Sequence, residues 1–293
     1  MAGKLEMDFV GGATADQFRI RHAYLTYGNW LVGQTWSNFA ITDYMPETID
    51  VLGYVGGSIK RTPQVRYTTT FSPNTKLAVG LEDPKYTADD TKNTAGKVTG
   101  YATDPSNEMR LPALTARLDQ KFANGAGVIT PRVMVAEKKI AADETTAWGV
   151  GLGMKYNLTP STTLKADYYH VKGDSSFVAW SNPGYLVDST TKQIADENEF
   201  DSITVGLTQQ FTPKWRGTLG YGYMKADKNQ AYYDAAANKD LINENLWQGW
   251  ANVFYSPVKP LSFGLEYVYG ERETFDGLTG EDNRVQATAI YNF

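Results

Sequence analysis

The sequence of 293 residues has no cysteine and only two histidines. The lack of cysteine excludes a disulfide framework, a thiolate metal site and a cysteine nucleophile. Basic residues are in the minority, and the net charge of −5 argues against a nucleic-acid partner, because such proteins normally carry a basic face. The chain also lacks any run of about 18 apolar residues, which excludes a transmembrane helix. Composition alone would describe an acidic soluble protein.

Alternation of apolar and polar residues is the feature that the chain does have. Near the C-terminus, apolar residues hold one parity at Leu261, Phe263, Leu265, Tyr267 and Tyr269. In mid-chain the same pattern runs through Trp148, Val150, Leu152, Met154 and Tyr156. A period of two residues is typical of a β-strand whose faces meet different surroundings. The pattern predicts about fourteen strands and a single all-β, antiparallel domain spanning residues 1–293.

The connections between predicted strands are of two alternating kinds. Short ones carry turn residues, at Gly28-Asn29, Ser72-Pro73-Asn74, Ala123-Asn124-Gly125, Thr159-Pro160-Ser161, Thr212-Pro213-Lys214 and Ser256-Pro257-Val258. Long polar connections lie between them. Short turns at one end and long loops at the other are typical of a transmembrane β-barrel in a bacterial outer membrane. The final Phe293 supports this prediction, because it resembles the terminal assembly signal of outer-membrane proteins.

If the apolar parity faces lipid, the basic residues of the other parity face the lumen. Those predicted to line the path of a solute are Arg19, Arg21, Arg66, Arg132, Arg117 and Lys165. A lumen lined by cations selects anions, and arginine can hold a carboxylate with two parallel hydrogen bonds. The alternative is that these side chains pair with inward acids, such as Asp167 and Glu266, and act as struts across the lumen.

The segment 38–62 is long and contains too many apolar residues to extend freely into water. We predict that it folds into the barrel as a constriction loop. Three of its acids, Asp43, Glu47 and Asp50, would then face the basic wall and set a transverse field across the channel. The alternative is that the segment latches onto a neighbouring subunit.

Glycines on the inward parity keep that face small, at Gly149, Gly151, Gly153, Gly206, Gly220, Gly222 and Gly264. This favours an open, passive channel for small anions over a plugged structural or adhesin-type barrel, which would fill those positions with bulky residues. A soluble carbohydrate-binding β protein with exposed aromatic residues is a further alternative.

Enzymatic chemistry has little support in the sequence. His22 and His170 have no serine or aspartate partner at a convincing spacing, so we predict that the chain is not an enzyme and leave an outer-membrane hydrolase as a minor alternative. No cofactor and no metal site are predicted. Loop acids such as Asp89 and Asp90 could hold a divalent cation only weakly, because the spacing of a calcium loop is absent.

Two blocks of the sequence resemble a known family. The runs Phe18–Leu25 and Tyr27–Phe39, followed by Pro46–Asp50 and Arg61–Tyr67, are similar in content and order to the signature of DcaP-like outer-membrane porins. The resemblance covers about fifty residues. It implies a homotrimer of 16-stranded barrels in the outer membrane of a Gram-negative bacterium. It also implies passage of small anions, especially dicarboxylates of the phthalate or succinate type, and of some negatively charged β-lactamase inhibitors.

The start of the chain departs from that family. Members have a coiled-coil segment and about two strands before the strand that begins here near Leu5. The fourteen strands counted here and those two would make sixteen, so the chain is either shortened, by truncation or engineering, or a natural form with fourteen strands. An open sheet in lipid is excluded, because its edges would leave backbone groups unpaired.

Overall fold

The computed structural model describes residues 1–11, 17–50, 53–84, 110–140, 143–180, 182–187, 193–227, 229–235 and 239–292. The strands of these residues are β1 (Ala2–Gly11), β2 (Gln17–Tyr27), β3 (Trp30–Trp36), β4 (Arg61–Ser72), β5 (Thr75–Glu82), β6 (Ala113–Phe122), β7 (Gly127–Ile140), β8 (Asp143–Thr159), β9 (Thr162–Lys172), β10 (Tyr185–Val187), β11 (Ile194–Glu197), β12 (Glu199–Thr212), β13 (Trp215–Ala226), β14 (Asn243–Val258), β15 (Leu261–Thr274) and β16 (Thr279–Tyr291). The helical elements are α1 (Gln230–Ala235) and 3₁₀ turns at Thr42–Tyr44, Ala123–Gly125, Ser175–Phe177 and Lys239–Leu241.

A 14-stranded sheet contains every strand except β10 and β11, which pair with each other. Each strand of the large sheet is antiparallel to the next, in the order β1 to β9 and then β12 to β16. The prediction of fourteen antiparallel strands is therefore confirmed. Within the part of the chain that the structure describes, β1 and β16 do not pair with each other.

The short turns lie at one end of the sheet. The other end carries the long connections after β3, β5, β9 and β13, together with shorter ones after β1, β7 and β15. One predicted turn, at 256–258, is wrong: β14 continues to Val258, and the turn follows at residues 259–260. A register shift between Tyr255 and Val258 accommodates Pro257 inside the strand. Such a shift is the usual way for a strand to tolerate a proline, which cannot donate to the ladder.

The apolar parity lies on the outward face, as the alternation predicts. In β8 the side chains of Trp148, Val150 and Leu152 are 39%, 43% and 47% exposed, whereas Ala147 is fully buried on the other face. Outward aromatic rings also pair between strands at both levels of the sheet. Trp215 lies 4.6 Å from Tyr255 near the short turns, and Trp247 lies 5.5 Å from Tyr269 near the long connections.

A β-bulge in β2 changes which of its side chains face inward. Glu6 pairs with His22 and Met7 with Ile20, so Arg21 is an extra residue in the strand. A bulge places two consecutive side chains on one face. His22 is consequently buried against Thr35, at 2.9 Å, and Arg21 still reaches Glu6. Simple alternation does not predict this.

The interior of the sheet contains a hydrophobic core at the long-loop end. Its buried members are Phe39, Val55, Met134, Tyr169, Val171, Phe177, Val178, Tyr185, Leu186, Phe200, Met224, Ala226, Tyr232, Leu246 and Phe275. The connections supply half of this cluster, and the ends of β7, β9 and β12 to β14 supply the rest. Folded connections therefore fill this end of the enclosed space.

The short strands β10 and β11 and the helix α1 lie in long connections and were not predicted, because each is too short to show a period. No helix among the described residues is long and apolar enough to cross a membrane. Phe293 and the loop acids Asp89 and Asp90 lie outside the described residues.

Candidate functional site

Residues 38–50 and 53–60, together called the inner segment below, lie between β3 and β4 and run across the interior. The backbone closes at its base, where Ser37 N donates to Lys60 O at 2.9 Å. Asn38 N donates to the buried carboxylate of Glu82 at 2.9 Å, and Arg66 Nη1 donates to Asn38 Oδ1 at 3.0 Å. The start of the segment is thus fixed to β4 and β5.

The middle of the inner segment is held by the opposite wall. Glu47 forms a bidentate ion pair with Arg216 of β13, with Oε1 2.8 Å from Nη2 and Oε2 2.9 Å from Nε. Its carbonyl oxygen accepts from Trp250 Nε1 at 3.0 Å and from Asn252 Nδ2 at 2.8 Å. The sheet must therefore curl around the segment, because β5 and β13 both contact it.

The following residues reach the last two strands. Thr48 Oγ1 and Ile49 N donate to the two oxygens of Glu266, at 2.8 and 3.1 Å, and Glu266 is fully buried. Asp50 forms an ion pair with Arg284 of β16. Two of the three acids that the sequence predicts in this segment, Glu47 and Asp50, are thus engaged by arginines of the wall.

Most inward glycines make room for the inner segment rather than for an open lumen. A Cβ atom at Gly222 would lie 1.9 Å from Val55 O, and one at Gly206 would lie 2.3 Å from Pro46 Cβ. A Cβ at Gly153 would lie 2.4 Å from Tyr44. The inference from these glycines to open space is therefore wrong at these positions, because the backbone of the segment at Gly222 and its side chains at Gly206 and Gly153 lie directly against them.

Four of the predicted path residues have carboxylate partners. Arg132 is completely buried in a bidentate pair with Asp167, at 2.6 and 2.8 Å, and therefore lies inside the wall packing rather than at the expected solute path. Arg19 and Arg21 pair with acids of β1, at 2.6 and 2.8 Å. Arg117 lies 2.8 Å from Asp119. These four cations are thus paired with carboxylates, as the alternative supposed, but each pair joins residues of the same strand or of nearby strands and lies along the wall.

The other two predicted cations have no carboxylate within 4.0 Å among the described residues. Arg66 donates to the amide oxygen of Asn38, and Lys165 donates to the carbonyl oxygen of Met45 at 2.9 Å. Both are partly buried. Their charges are offset only by more distant acids, so they are the predicted residues best able to attract an anion.

A polar cavity of ≈ 500 Å³ lies between the start of the inner segment and the wall from β2 to β6. Its charged lining consists of Arg66, Lys76, Arg117, Asp43 and Asp119, a net charge of one positive. Asp43 is the more exposed of the two acids: its side chain is 74% exposed, and its carboxylate lies 3.6 Å from the Arg117 guanidinium group. The cavity thus brings together three of the predicted site residues, Arg66, Arg117 and Asp43.

Sequence reasoning missed several residues that hold the site together. Arg216 was not singled out, although it lies on the inward parity next to the exposed Trp215, which is the signal that could have identified it. Glu82, which holds Asn38, was not singled out either. Its role could not be found from the sequence, because it depends on a contact across 44 positions.

A buried charge cluster joins the base of the inner segment to the connection after β9. The Asp174 carboxylate lies 2.8 Å from Lys138 Nζ and 3.8 Å from Lys60 Nζ. Burial alone would raise the pKa of Asp174, but the two ammonium groups outweigh it and hold this pKa well below its usual value. Ser58 also forms a β-bridge with Val178. The two connections therefore form one packed unit.

The histidines do not form a catalytic arrangement with the described residues. His22 Nδ1 contacts Thr35, and His170 lies between two carboxylates, 3.1 Å from Asp201 and 3.9 Å from Glu199. Neither set contains the serine, histidine and acid of a hydrolase. Among the described residues, no three histidine or acidic side chains converge as a metal site would require.

Comparison with known proteins identifies the family of this chain. The model of the DcaP outer membrane protein family matches residues 1–293. The chain belongs to this family. Among solved structures, the crystal structure of the outer membrane channel DcaP of Acinetobacter baumannii is 41% identical, with a TM-score of 0.85, over 99% of this chain and 80% of that one. No curated protein matches the sequence.

More distant structures share the fold of the DcaP family. OmpT of Vibrio cholerae has a TM-score of 0.54 at 14% identity, over 99% of this chain and 80% of that one. The anion-selective porin from Comamonas acidovorans has a TM-score of 0.57 at 10% identity, over 94% and 78%. The chain is thus an outer-membrane β-barrel and a channel of the porin kind, located in the bacterial outer membrane.

Proposed function

We propose that this chain is a passive, non-enzymatic outer-membrane channel that prefers anions and takes up small dicarboxylates. The observation that carries the proposal is the polar cavity of ≈ 500 Å³ beside the inner segment. Arg66 lines it without a carboxylate partner among the described residues, and Lys76 and Arg117 add to its positive charge. A solute with two carboxylates could engage Arg66 and one of these neighbours together.

The inner segment would set the width of this path. Its bonds to Glu82, Arg216 and Glu266 fix it against both walls, and Asp43 is the acid it leaves exposed to the cavity. Asp43 opposite Arg66 and Arg117 would provide the transverse field expected of a constriction. The other predicted acids, Glu47 and Asp50, would act as anchors instead.

The test is ion selectivity in a planar lipid bilayer under a salt gradient. We expect discrete conductance steps, a reversal potential biased towards anions, and a current reduced by added succinate. Arg66→Gln should move the reversal potential towards neutrality and weaken the effect of succinate. The matched control is Lys214→Gln, which removes the same charge at an exposed short turn outside the cavity. Unchanged selectivity in the Arg66 variant would contradict the assignment.

A plugged barrel remains the second candidate, because the inner segment packs directly against the inward glycines of half the wall. The same experiment separates the two. Folded protein that inserts but shows no conductance would support the plugged barrel and overturn the channel.

A homotrimer is part of the proposal. OmpT of Vibrio cholerae, which shares the fold at 14% identity, has a structure described as a trimer form. The outward face of this chain is apolar and would be covered by lipid and by neighbouring barrels. Light scattering in detergent measures the protein mass directly. We expect three chains, and a mass of one chain would contradict the trimer.

A further inference from the structure

A second cavity lies at the long-loop end, on the other side of the inner segment. It has a volume of ≈ 390 Å³, within the range of sites that bind small molecules. Its floor is the inner face of β14, β15 and β16, where two rows of paired residues lie side by side: Leu246, Arg272 and Gly280, then Gln248, Gly270 and Asp282. Gly53 and Trp180 belong to its lining from the connections.

This floor is open, whereas the wall at β12 and β13 is covered. A Cβ atom at Gly280 would meet nothing within 4 Å, whereas one at Gly222 or Gly206 would collide with the inner segment. The space above Gly280 is therefore free to receive a ligand.

Trp180 is held at the cavity in a strained conformation. Its φ angle of +63° is rare for any residue other than glycine. The side chain is nevertheless 47% exposed. Its indole N–H lies 3.4 Å from Gly53 O, and its carbonyl oxygen accepts from Asn243 Nδ2 at 2.9 Å. A half-exposed ring fixed in this way provides a flat apolar surface.

The same Asn243 also positions a cation. Arg272 Nε donates to Asn243 Oδ1, and Arg272 Nη2 donates to Leu241 O at 2.9 Å. Arg272 has no carboxylate within 4.0 Å among the described residues, so its remaining N–H groups are able to bind one. Asn243 thus links the backbone at Trp180 to the guanidinium group of Arg272.

The other polar groups of the inner face supply both donors and acceptors. Two further acids of the lining, Glu271 and Glu281, share the outward parity of Trp247, and Glu271 accepts from the Tyr269 hydroxyl at 2.9 Å. Gln248 Nε2 lies 3.4 Å from Asp282 Oδ2, and Arg284 Nε lies 3.5 Å from the same oxygen. Arg284 Nε is buried without a hydrogen-bond partner in the structure. A bare aromatic acid would leave such groups unpaired, which costs affinity, whereas ring hydroxyls could satisfy donors and acceptors together.

We propose that this cavity binds a sugar acid, a pyranose ring that carries one carboxylate. The apolar face of the ring would lie on Trp180, the carboxylate on Arg272, and the hydroxyls on Asp282, Gln248 and Arg284. The proposal rests on the proposed channel function only in requiring that solutes enter the barrel. The sugar acid would bind here, at a site separate from the cavity at Arg66.

The test is binding of sodium glucuronate to the purified protein in detergent, measured by calorimetry beside glucose and benzoate. We expect glucuronate to bind at least about tenfold more tightly than either, because glucose lacks the charge and benzoate lacks the hydroxyls. Trp180→Ala and Arg272→Gln should each weaken glucuronate binding by about tenfold or more. Trp180→Phe, which keeps a flat ring, should retain most of the affinity, and Trp148→Ala, on the outward face, is the matched control.

Equal affinity for glucose would overturn the role of Arg272, and equal affinity for benzoate would overturn the choice of a sugar. No binding of glucuronate, or full binding by both cavity variants, would overturn the site itself. Chloride selectivity of Trp180→Ala is measured in the same bilayer assay as Arg66→Gln. We expect it to equal that of the unmodified protein, so failure of this site and failure of the anion channel give different results.

Discussion

Two stretches of the inner wall, from β2 to β6 and from β7 to β13, are built from the same alternating strands but face different surroundings. In the stretch from β7 to β13, called the filled half below, inward glycines and aromatic residues lie against the inner segment and the hydrophobic core at the long-loop end. In the stretch from β2 to β6, called the open half below, the inward side chains are polar or charged and border the ≈ 500 Å³ cavity. Period-two alternation therefore predicts the strands and their outward face, whereas what lies against the inward side chains depends on contacts between distant parts of the chain.

The largest effect is expected from Asp174→Asn, which removes the carboxylate of the buried charge cluster at the base of the inner segment. It leaves the ammonium groups of Lys60 and Lys138 buried without a carboxylate, and breaking such a pair costs about 3–5 kcal/mol. We expect faster hydrogen exchange at the amides of Ile59 and Ala179, which bond across the two connections at 3.2 Å. Equal protection in the variant would show that the cluster does not hold the segment.

The pH dependence of the same contact has a definite sign. The pKa of Asp174 is lowered in the folded protein. Its contribution to the stability of the folded state is therefore complete above the usual pKa of 3.8 and is lost as the pH falls below that value. Protection of Ile59 in the unmodified protein should be constant from pH 7 to about pH 5 and should decline only in stronger acid. The Asp174→Asn variant should lack that decline.

A smaller effect is expected from Gly222→Ala, which tests whether the filled half depends on the absence of a side chain. The new methyl group would overlap Val55 O and force the inner segment away, at a cost of about 1–3 kcal/mol. Gly280→Ala is the matched control, since its methyl group would meet no atom within 4 Å. Urea unfolding in detergent measures both, and equal stability of the two variants would contradict the packing described here.

The smallest effect is expected from Asp43→Asn, on the open half. Asp43 is largely exposed and its pair with Arg117 is loose, so stability should not change measurably. Removing its charge should nevertheless move the reversal potential further towards anions. Asp240→Asn, an exposed change at the opposite end, serves as control, and a shift of equal size there would remove the argument for Asp43.

The outward face could be predicted from the sequence because each strand carries its own signal. Trp148, Val150 and Leu152 are apolar at alternate positions whatever their neighbours are, and all three lie on the exposed face. The bulge at Arg21 and the extension of β14 past Pro257 were not predictable in this way, since both depend on the partner strand.

On the inward face, the sequence predicts which side chains face the interior but not which of them contact each other. Which of them pair depends on the curl of the sheet, as for Arg132 and Asp167, which lie 35 positions apart on strands separated by β8. A glycine facing inward is equally consistent with space for a solute and with space for a backbone. Gly222 and Gly280 look alike in the sequence and differ only in what lies above them.

The inner segment also constrains the order in which the molecule can assemble. It lies early in the chain, yet Asp50 pairs with Arg284, 234 positions later, and Thr48 with Glu266, 218 positions later. Contacts of such long sequence separation form late, because most of the chain must be in place before they repay the entropy of closing the loop. The inner segment is thus among the last parts to settle, and a defect in β16 would appear as disorder in a segment more than 200 positions earlier in the sequence.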